Sequence, residues 1–106
     1  MKTPSLKPGE LALIQKVFQR HLEIKAVKLF GSRAKGTHSN SSDIDLALWG
    51  EVDAVRAESI AAELDELPLP YRYDVKPFHL IKLVPLREHI ERVGIMVYRQ
   101  KKMSRL

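Results

Sequence analysis

Residues 31–36 read Gly-Ser-Arg-Ala-Lys-Gly, and after a polar loop residues 42–46 read Ser-Asp-Ile-Asp-Leu; these two motifs decide how the chain is interpreted. Before them, the apolar run 26–30 predicts a short strand that Gly31 ends. After the loop, residues 44–49 predict a second strand. The stretch between the strands is rich in Ser, Gly and Asn, and it is too polar to belong to a core.

Gly31 and Ser32 suit a turn that approaches a ligand closely. Glycine places no side chain in the way at the end of a strand, and Ser32 offers a hydroxyl and a backbone N–H at the start of a short helix. A turn of this kind binds phosphate oxygens well. Arg33 and Lys35 add positive charge beside it, although both long side chains could equally point into solvent.

Asp43 and Asp45 stand two residues apart at the start of the second predicted strand. Side chains alternate along a strand, so both carboxylates should share one face while Ile44 and Leu46 point into the core. Two like charges on one face repel, and a divalent cation between them removes the repulsion. Oxygen ligands at this spacing suit Mg²⁺ that also binds the phosphates of a nucleotide.

Asp74 is the candidate for a third carboxylate. Two-metal phosphoryl transfer normally needs a further carboxylate on a neighbouring strand, which holds the second ion and helps to deprotonate the attacking hydroxyl. Asp74 lies inside the strand-like run 71–78, on the same predicted face as Arg72 and Lys76. The alternative is that Asp74 only forms an ion pair with one of these two cations.

Three residues near the motifs have both a functional and a structural interpretation. Lys35 and His38 lie in the loop that would flank a nucleotide, but loop cations are usually only solvated. Trp49 would share the face of Asp43 and Asp45, where it could stack on a base or simply pack against its neighbours.

The remaining pattern predicts a small layered α/β (α+β) fold, a mixed β-sheet packed with helices. Apolar stripes at helical spacing run from Leu11 to Leu22 and from Val52, through Val55, to Leu67. Pro77 limits the third strand to an edge or an ending position. The predicted elements are helices at 11–22, 52–67 and 85–93 and strands at 26–30, 44–49, 71–78 and 95–98.

Length and composition exclude several classes of protein. The 106 residues predict one domain, 1–106, with a basic tail at 99–106 that could be disordered. The absence of cysteine excludes a disulfide framework and a thiolate metal site, and it favours the cytoplasm. No apolar run approaches the ~18 residues of a membrane span. The net charge of +5 favours an anionic partner, but no platform of interleaved basic and aromatic residues predicts direct nucleic-acid binding.

The pair Gly31-Ser32, followed by Asp43-Ile44-Asp45, resembles the signature of the polymerase-β-like nucleotidyltransferases. The fuller string is similar to that of the minimal nucleotidyltransferases, the MNT antitoxins paired with HEPN toxins, through the further matches Arg33, Ala34, Gly36, Ser42 and Leu46. Weaker likenesses continue at Asp74 and in the closing segment 87–98.

This resemblance implies an activity, its cofactors and its site residues. The activity would be the transfer of a nucleoside monophosphate, AMP from ATP with two Mg²⁺ ions, onto a hydroxyl, which in HEPN/MNT pairs is a tyrosine of the toxin. The nucleotide would be bound by Gly31, Ser32 and Arg33. The metal ligands and catalytic carboxylates would be Asp43, Asp45 and Asp74, with Asp74 as the base.

A chain of this length has little surface left to enclose a second substrate. We therefore expect another protein to present the acceptor, a HEPN-type toxin bound in a hetero-oligomer. The alternative is a non-catalytic antitoxin or regulatory module that retains the fold and only binds its partner. An antibiotic-modifying nucleotidyltransferase would need an added helical domain, and the length argues against it.

Overall fold

A computed structural model of the chain describes residues 6–35 and 43–101. The elements are α1 (Pro8–Gln19), β1 (Ile24–Phe30), α2 (Ser32–Lys35), β2 (Ile44–Gly50), α3 (Ala54–Asp65), β3 (Tyr73–Pro77), a 3-10 turn (Phe78–Leu80), α4 (Val84–Val93) and β4 (Ile95–Arg99). Every helix and strand predicted from the sequence is present, with ends shifted by a few residues. Within the described ranges, no helix is both long enough and apolar enough to cross a membrane.

The strands form one mixed sheet in the order β3-β2-β1-β4. Strand β1 pairs antiparallel with β2 and with β4, whereas β2 and β3 are parallel. A parallel pair needs a crossover connection, and α3 provides it. Pro77 ends the edge strand β3, as predicted, where the missing N–H disrupts little of the ladder. This topology confirms the predicted α+β fold.

The main core lies between one face of the sheet and the helices α1 and α3. Strand β2 contributes Ile44, Leu46 and Leu48 to it, and α1 and α3 contribute Ile14, Val17, Phe18, Ala57, Ile60 and Leu64. Because side chains alternate along a strand, Asp45 and Trp49 point to the opposite face of the sheet. The apolar residues of β2 thereby direct Asp45 away from the core.

The opposite face carries a smaller apolar cluster, which includes Phe30, Ala47, Phe78, Ile81 and Ile90. The rings of Trp49 and Phe78 stack with centroids 4.4 Å apart and an interplanar angle of 19°. The Lys28 Nζ atom lies 5.8 Å from the centre of the Trp49 ring. These contacts confirm the packing interpretation of Trp49.

Two apolar residues of the predicted helical stripes do not pack. Helix α1 ends at Gln19, so Leu22 lies beyond it and is 78% exposed. Helix α3 begins after Asp53, whose carboxylate accepts a hydrogen bond from the Arg56 N–H at 2.8 Å, and Val55 in its first turn is 75% exposed. Their assignment to the packed stripes was wrong. The apolar spacing did not fix the end of α1, and Val55 lies two residues before the buried Ala57, which places it on another face of α3.

The predicted basic tail, 99–106, lies only partly within the described residues. Arg99 is the last residue of β4, and the Gln100 N–H donates a hydrogen bond to the Lys25 carbonyl at 2.8 Å. The Gln100 amide group also donates to the Leu22 carbonyl at 2.7 Å. Residues 102–106 lie outside the described residues, so disorder in the tail stays a prediction.

Tyr73 carries a buried hydroxyl that has no hydrogen-bond partner among the described residues. Burial raises the pKa of this phenol to about 12. An unpaired buried hydroxyl costs free energy on folding, so Tyr73→Phe should leave the midpoint of thermal unfolding unchanged or raise it by a few degrees. Scanning calorimetry of both proteins measures the difference. A fall of several degrees would contradict the absence of a partner.

Candidate active site

The candidate site lies where β1 ends and where β2 and β3 begin. Asp45 is paired in register with Phe30 of β1 on one side and with Asp74 of β3 on the other. Gly31 follows Phe30 directly in the chain. The sheet therefore brings together the predicted glycine turn and two of the three predicted carboxylates, although Asp74 is distant in sequence.

Gly31 is in close contact with Asp45. Its backbone has φ +78°, a left-handed conformation that residues with a Cβ rarely adopt. A Cβ atom built on Gly31 would overlap Oδ2 of Asp45. Both the backbone conformation and the close approach of the carboxylate therefore require glycine here.

The charge around Asp45 favours a cation. Burial raises the pKa of Asp45, and the negative charges of Asp74 and Asp43 raise it further, while Lys76 opposes them. Carboxylate oxygens are the ligands that a hard divalent cation such as Mg²⁺ prefers. The chemistry of these donors therefore fits a magnesium ion.

Asp74 forms an ion pair with Lys76. The Lys76 Nζ lies 2.7 Å from Oδ2 of Asp74, and both side chains are 43% exposed. This pair is the alternative that the sequence left open. Among residues 6–35 and 43–101, no three His, Cys, Asp or Glu side chains are arranged to hold a metal ion. Asp43 is exposed immediately before β2, and the three-carboxylate metal site stays a prediction.

The short helix α2 begins directly after Gly31, as the sequence predicted. The Ala34 N–H donates a hydrogen bond to the Gly31 carbonyl at 3.1 Å and closes the first turn. The side chains of Ser32 and Lys35 lie outside the described part of the structure, as does the whole of 36–42 with Gly36, His38 and Ser42. The predicted phosphate contact of Ser32 therefore stays a prediction.

Arg33 is buried, with only 4% of its surface exposed. Its guanidinium carbon lies 4.9 Å from the centre of the Tyr71 ring. The Tyr71 hydroxyl donates a hydrogen bond to Glu10 at 2.8 Å; this bond, together with smaller effects that include the Arg33 charge, lowers the pKa of Glu10. Arg33 thus connects α2 with Tyr71 in the segment that precedes β3, and the Tyr71 hydroxyl connects that segment with α1.

Sequence reasoning missed this structural position of Arg33. The local pattern is the same for an arginine that contacts phosphate and for one that packs on an aromatic ring, because Tyr71 approaches from a distant part of the chain. The predicted contact between Arg33 and the nucleotide stays a prediction.

Arg33→Lys should lower the midpoint of thermal unfolding by about 3–8 °C. A lysine cannot lay a planar guanidinium over Tyr71, and a desolvated cation–π pair contributes about 1–2 kcal/mol. Thermal unfolding of Arg33→Lys, measured in the wild-type and in a Tyr71→Leu background, checks the contact. Arg33→Lys should lower the midpoint less in the Tyr71→Leu background than in the wild-type background. An equal decrease in both would contradict the contact between Arg33 and Tyr71.

A glycine turn that leaves room for a phosphate, beside aspartates that offer oxygen ligands to a metal ion, suits the transfer of nucleotidyl or phosphoryl groups. Residues 13–103 match the family described as "Polymerase beta, Nucleotidyltransferase". The chain belongs to this family, and the resemblance found in the sequence is confirmed. The prediction of a nucleotidyltransferase enzyme is confirmed with it.

The chain is also similar to one curated protein and to solved structures. It is 29% identical over 99 residues to the probable protein adenylyltransferase MntA of Haemophilus influenzae, covering 92% of this chain and 86% of that protein. A toxin–antitoxin structure with AMP-PNP has a TM-score of 0.70 at 20% identity and covers 91% of this chain and 76% of that one. A structure of the tri-AMPylated Shewanella oneidensis HEPN toxin with MNT antitoxin has a TM-score of 0.68 at 18% identity. The match covers 90% of this chain and 74% of that one. At these identities the two structures establish the fold.

Proposed function

We propose that this chain transfers AMP from ATP onto a hydroxyl of a partner protein, a HEPN-type toxin, and acts as its antitoxin. The observation that carries the proposal is the register of Asp45 with Asp74, beside a glycine turn that has no room for a side chain. The MntA relative and the AMPylated toxin complex support the reaction and the partner. We place the reaction in the cytoplasm, where ATP is available and a chain without cysteine needs no disulfide.

The triphosphate would bind at the turn between β1 and α2. Gly31 lets a phosphate oxygen approach the backbone beside Asp45, because no Cβ stands in its way. Ser32 would contribute its hydroxyl and its backbone N–H. Arg33, buried against Tyr71, would keep α2 in the orientation that presents this turn. The complex of a structural relative with AMP-PNP supports a nucleoside triphosphate as the substrate.

Asp43, Asp45 and Asp74 would hold Mg²⁺, two ions as the family resemblance implies. Burial raises the pKa of Asp45, and the negative charges of Asp74 and Asp43 raise it further; this crowding of negative charge supports the assignment, and so does the purely oxygen donor set. When bound, Mg²⁺ supplies charge neutralisation at the phosphate oxygens of the nucleotide.

In the proposed reaction, the acceptor oxygen forms a bond to the α-phosphorus of ATP. The bond from that phosphorus to the oxygen bridging the α- and β-phosphates breaks, and pyrophosphate leaves. The proton of the acceptor hydroxyl passes to the carboxylate of Asp74, which is 43% exposed and accessible to an incoming group. For this step Lys76 must first release Oδ2.

The experiment combines the protein with its co-purifying partner, Mg²⁺ and ATP labelled at the α-phosphate. Wild type is compared with Asp43→Asn and Asp74→Asn, and Asp65→Asn on the exposed side of α3 serves as the matched control. Label on the partner with wild type and the control alone supports the enzyme. Toxin neutralisation that is equal in all four proteins, with no label transferred by any, would overturn it in favour of the non-catalytic binding module.

A further inference from the structure

We propose that Lys76 is a built-in counter-cation of the candidate active site: it holds Asp74 while no divalent cation is bound and competes with that cation for the carboxylate. Lys76 thereby sets how tightly the site binds a metal ion in the absence of nucleotide. The inference rests on the proposed function, since it takes Asp74 as a ligand of the ion.

The strand geometry places Lys76 over the carboxylates. Lys76 and Asp74 are two residues apart in β3, so their side chains share one face, and Nζ lies 2.7 Å from Oδ2. Lys76 is paired in register with Ala47 of β2, and Asp74 with Asp45. The side chain beside the lysine stem is therefore only a methyl group, and the lysine can lie along the strands towards both aspartates.

The surrounding charges assign the compensating role to Lys76. Asp43 and Asp74 add negative charge around Asp45, and Lys76 is the cation whose charge opposes them there. Arg33 is close to Gly31 in the chain, but its guanidinium packs on Tyr71. Lys76 is in direct contact with a predicted metal ligand, since its Nζ lies 2.7 Å from Oδ2 of Asp74.

Binding of a metal ion through Oδ2 requires Lys76 to move. A ligand oxygen approaches Mg²⁺ to about 2.1 Å, so the ammonium group and the ion cannot share the same lone pairs of the carboxylate. Exposed ion pairs are weak, and breaking one reduces affinity by up to about fivefold. The cationic charge itself reduces the affinity further. The site should therefore bind a free metal ion poorly and accept it more readily together with an anionic nucleotide.

The test measures Mn²⁺ binding to the full chain without nucleotide by isothermal titration calorimetry. Lys76→Met should bind Mn²⁺ about three- to tenfold more tightly than wild type, because the competing charge is gone. Lys76→Arg keeps the charge and should stay within about twofold. The matched control Lys82→Met removes an exposed lysine beyond the 3-10 turn and should match wild type.

Thermal unfolding provides a second readout that does not depend on activity. In EDTA, Lys76→Met leaves the carboxylates uncompensated, so its midpoint should lie below that of wild type. Added Mn²⁺ should raise the midpoint of Lys76→Met more than that of wild type, because tighter binding stabilises the folded chain further.

The variant Asp74→Asn separates failure of this inference from failure of the proposed function. If Asp74→Asn weakens Mn²⁺ binding while Lys76→Met binds as wild type does, the counter-cation role is wrong and the proposed function stands. Weaker binding by Lys76→Met would also overturn the inference, since Lys76 would then support the ligand rather than compete for it. If Asp74→Asn changes neither Mn²⁺ binding nor AMP transfer, Asp74 is no ligand, so the inference and the catalytic role of Asp74 both fail. The proposed function itself fails only if the wild-type protein transfers no AMP.

Discussion

Asp45→Asn is expected to reduce AMP transfer by about a thousandfold or more while the chain remains folded. Asp45 is the central carboxylate of the site, with Asp74 beside it in β3 and Gly31 against its Oδ2. The amide removes one negative charge and one of two oxygen donors, and charge stabilisation of this kind contributes several kcal/mol to phosphoryl transfer. Single-turnover transfer from labelled ATP measures the loss, with Asp65→Asn as the control.

The same substitution should stabilise the chain when no metal is present. Burial and neighbouring carboxylates raise the pKa of Asp45 above its ordinary value of 3.8, so the folded chain binds this proton more tightly than the unfolded chain does. Wild-type stability therefore falls as the pH rises from the ordinary pKa through the raised one, and the loss persists at neutral pH. Asparagine does not ionise and avoids this loss.

Thermal unfolding in EDTA at several pH values checks this sign. Asp45→Asn should unfold at a higher temperature than wild type at pH 7, and the difference should shrink as the pH falls below about 4, where the wild-type carboxyl is protonated in both states. A variant that unfolds below wild type at pH 7 would contradict the unfavourable environment that we infer for the charged carboxylate.

Gly31→Ala is expected to have the second largest effect, on both stability and activity. Alanine at φ +78° costs about 1–2 kcal/mol, and its Cβ would overlap the Asp45 carboxylate, which must then move. We expect the midpoint of thermal unfolding to fall by about 5–15 °C. Transfer should fall by about a hundredfold, because displacing a ligand by about 1 Å has an effect of that size.

Gly9→Ala is the matched control, since a Cβ built on Gly9 in α1 meets no atom within 4 Å. Alanine favours a helix, so this variant should be as stable as wild type or slightly more stable. The overlap is tested by a double-mutant cycle in which Gly31→Ala is repeated in an Asp45→Ala background, where Oδ2 is absent. In this background, the loss of unfolding free energy caused by Gly31→Ala should shrink to the part that comes from the backbone conformation. An equal loss in both backgrounds would rule out the overlap.

The sequence predicted the parts of the site that depend on local rules. Gly31 ends its strand because of its own backbone freedom, and Asp45 leaves the core because β-strand side chains alternate around Ile44 and Leu46. Asp74 was predicted as a third carboxylate because two-metal chemistry needs one from a neighbouring strand, and that role stays a prediction. The parallel register of β2 and β3 then brought it beside Asp45.

The parts that escaped prediction depend on contacts between distant segments. Arg33 is buried because Tyr71, which lies far away in the chain, covers it, and nothing near Arg33 in the sequence signals that ring. The sequence places Arg72 and Lys76 two residues on either side of Asp74, but it could not tell which of the two would form the ion pair. In the structure it is Lys76. Leu22 was misassigned because α1 ends at Gln19, before it. Val55 lies inside α3, but it is two residues before Ala57 and five before Ile60, spacings that place it away from the buried face of the helix.

Strand β3 borders the sheet, and this position determines what size of molecule can deliver the acceptor. Within residues 6–35 and 43–101, no further strand pairs with β3 on its outer side, and the Asp74 side chain at this edge is 43% exposed. A closed pocket would admit only small molecules, whereas an open rim lets a hydroxyl on the surface of another folded protein reach the α-phosphorus. If the proposed function holds, an edge strand that would elsewhere expose a protein to unwanted pairing becomes the entrance for a macromolecular substrate.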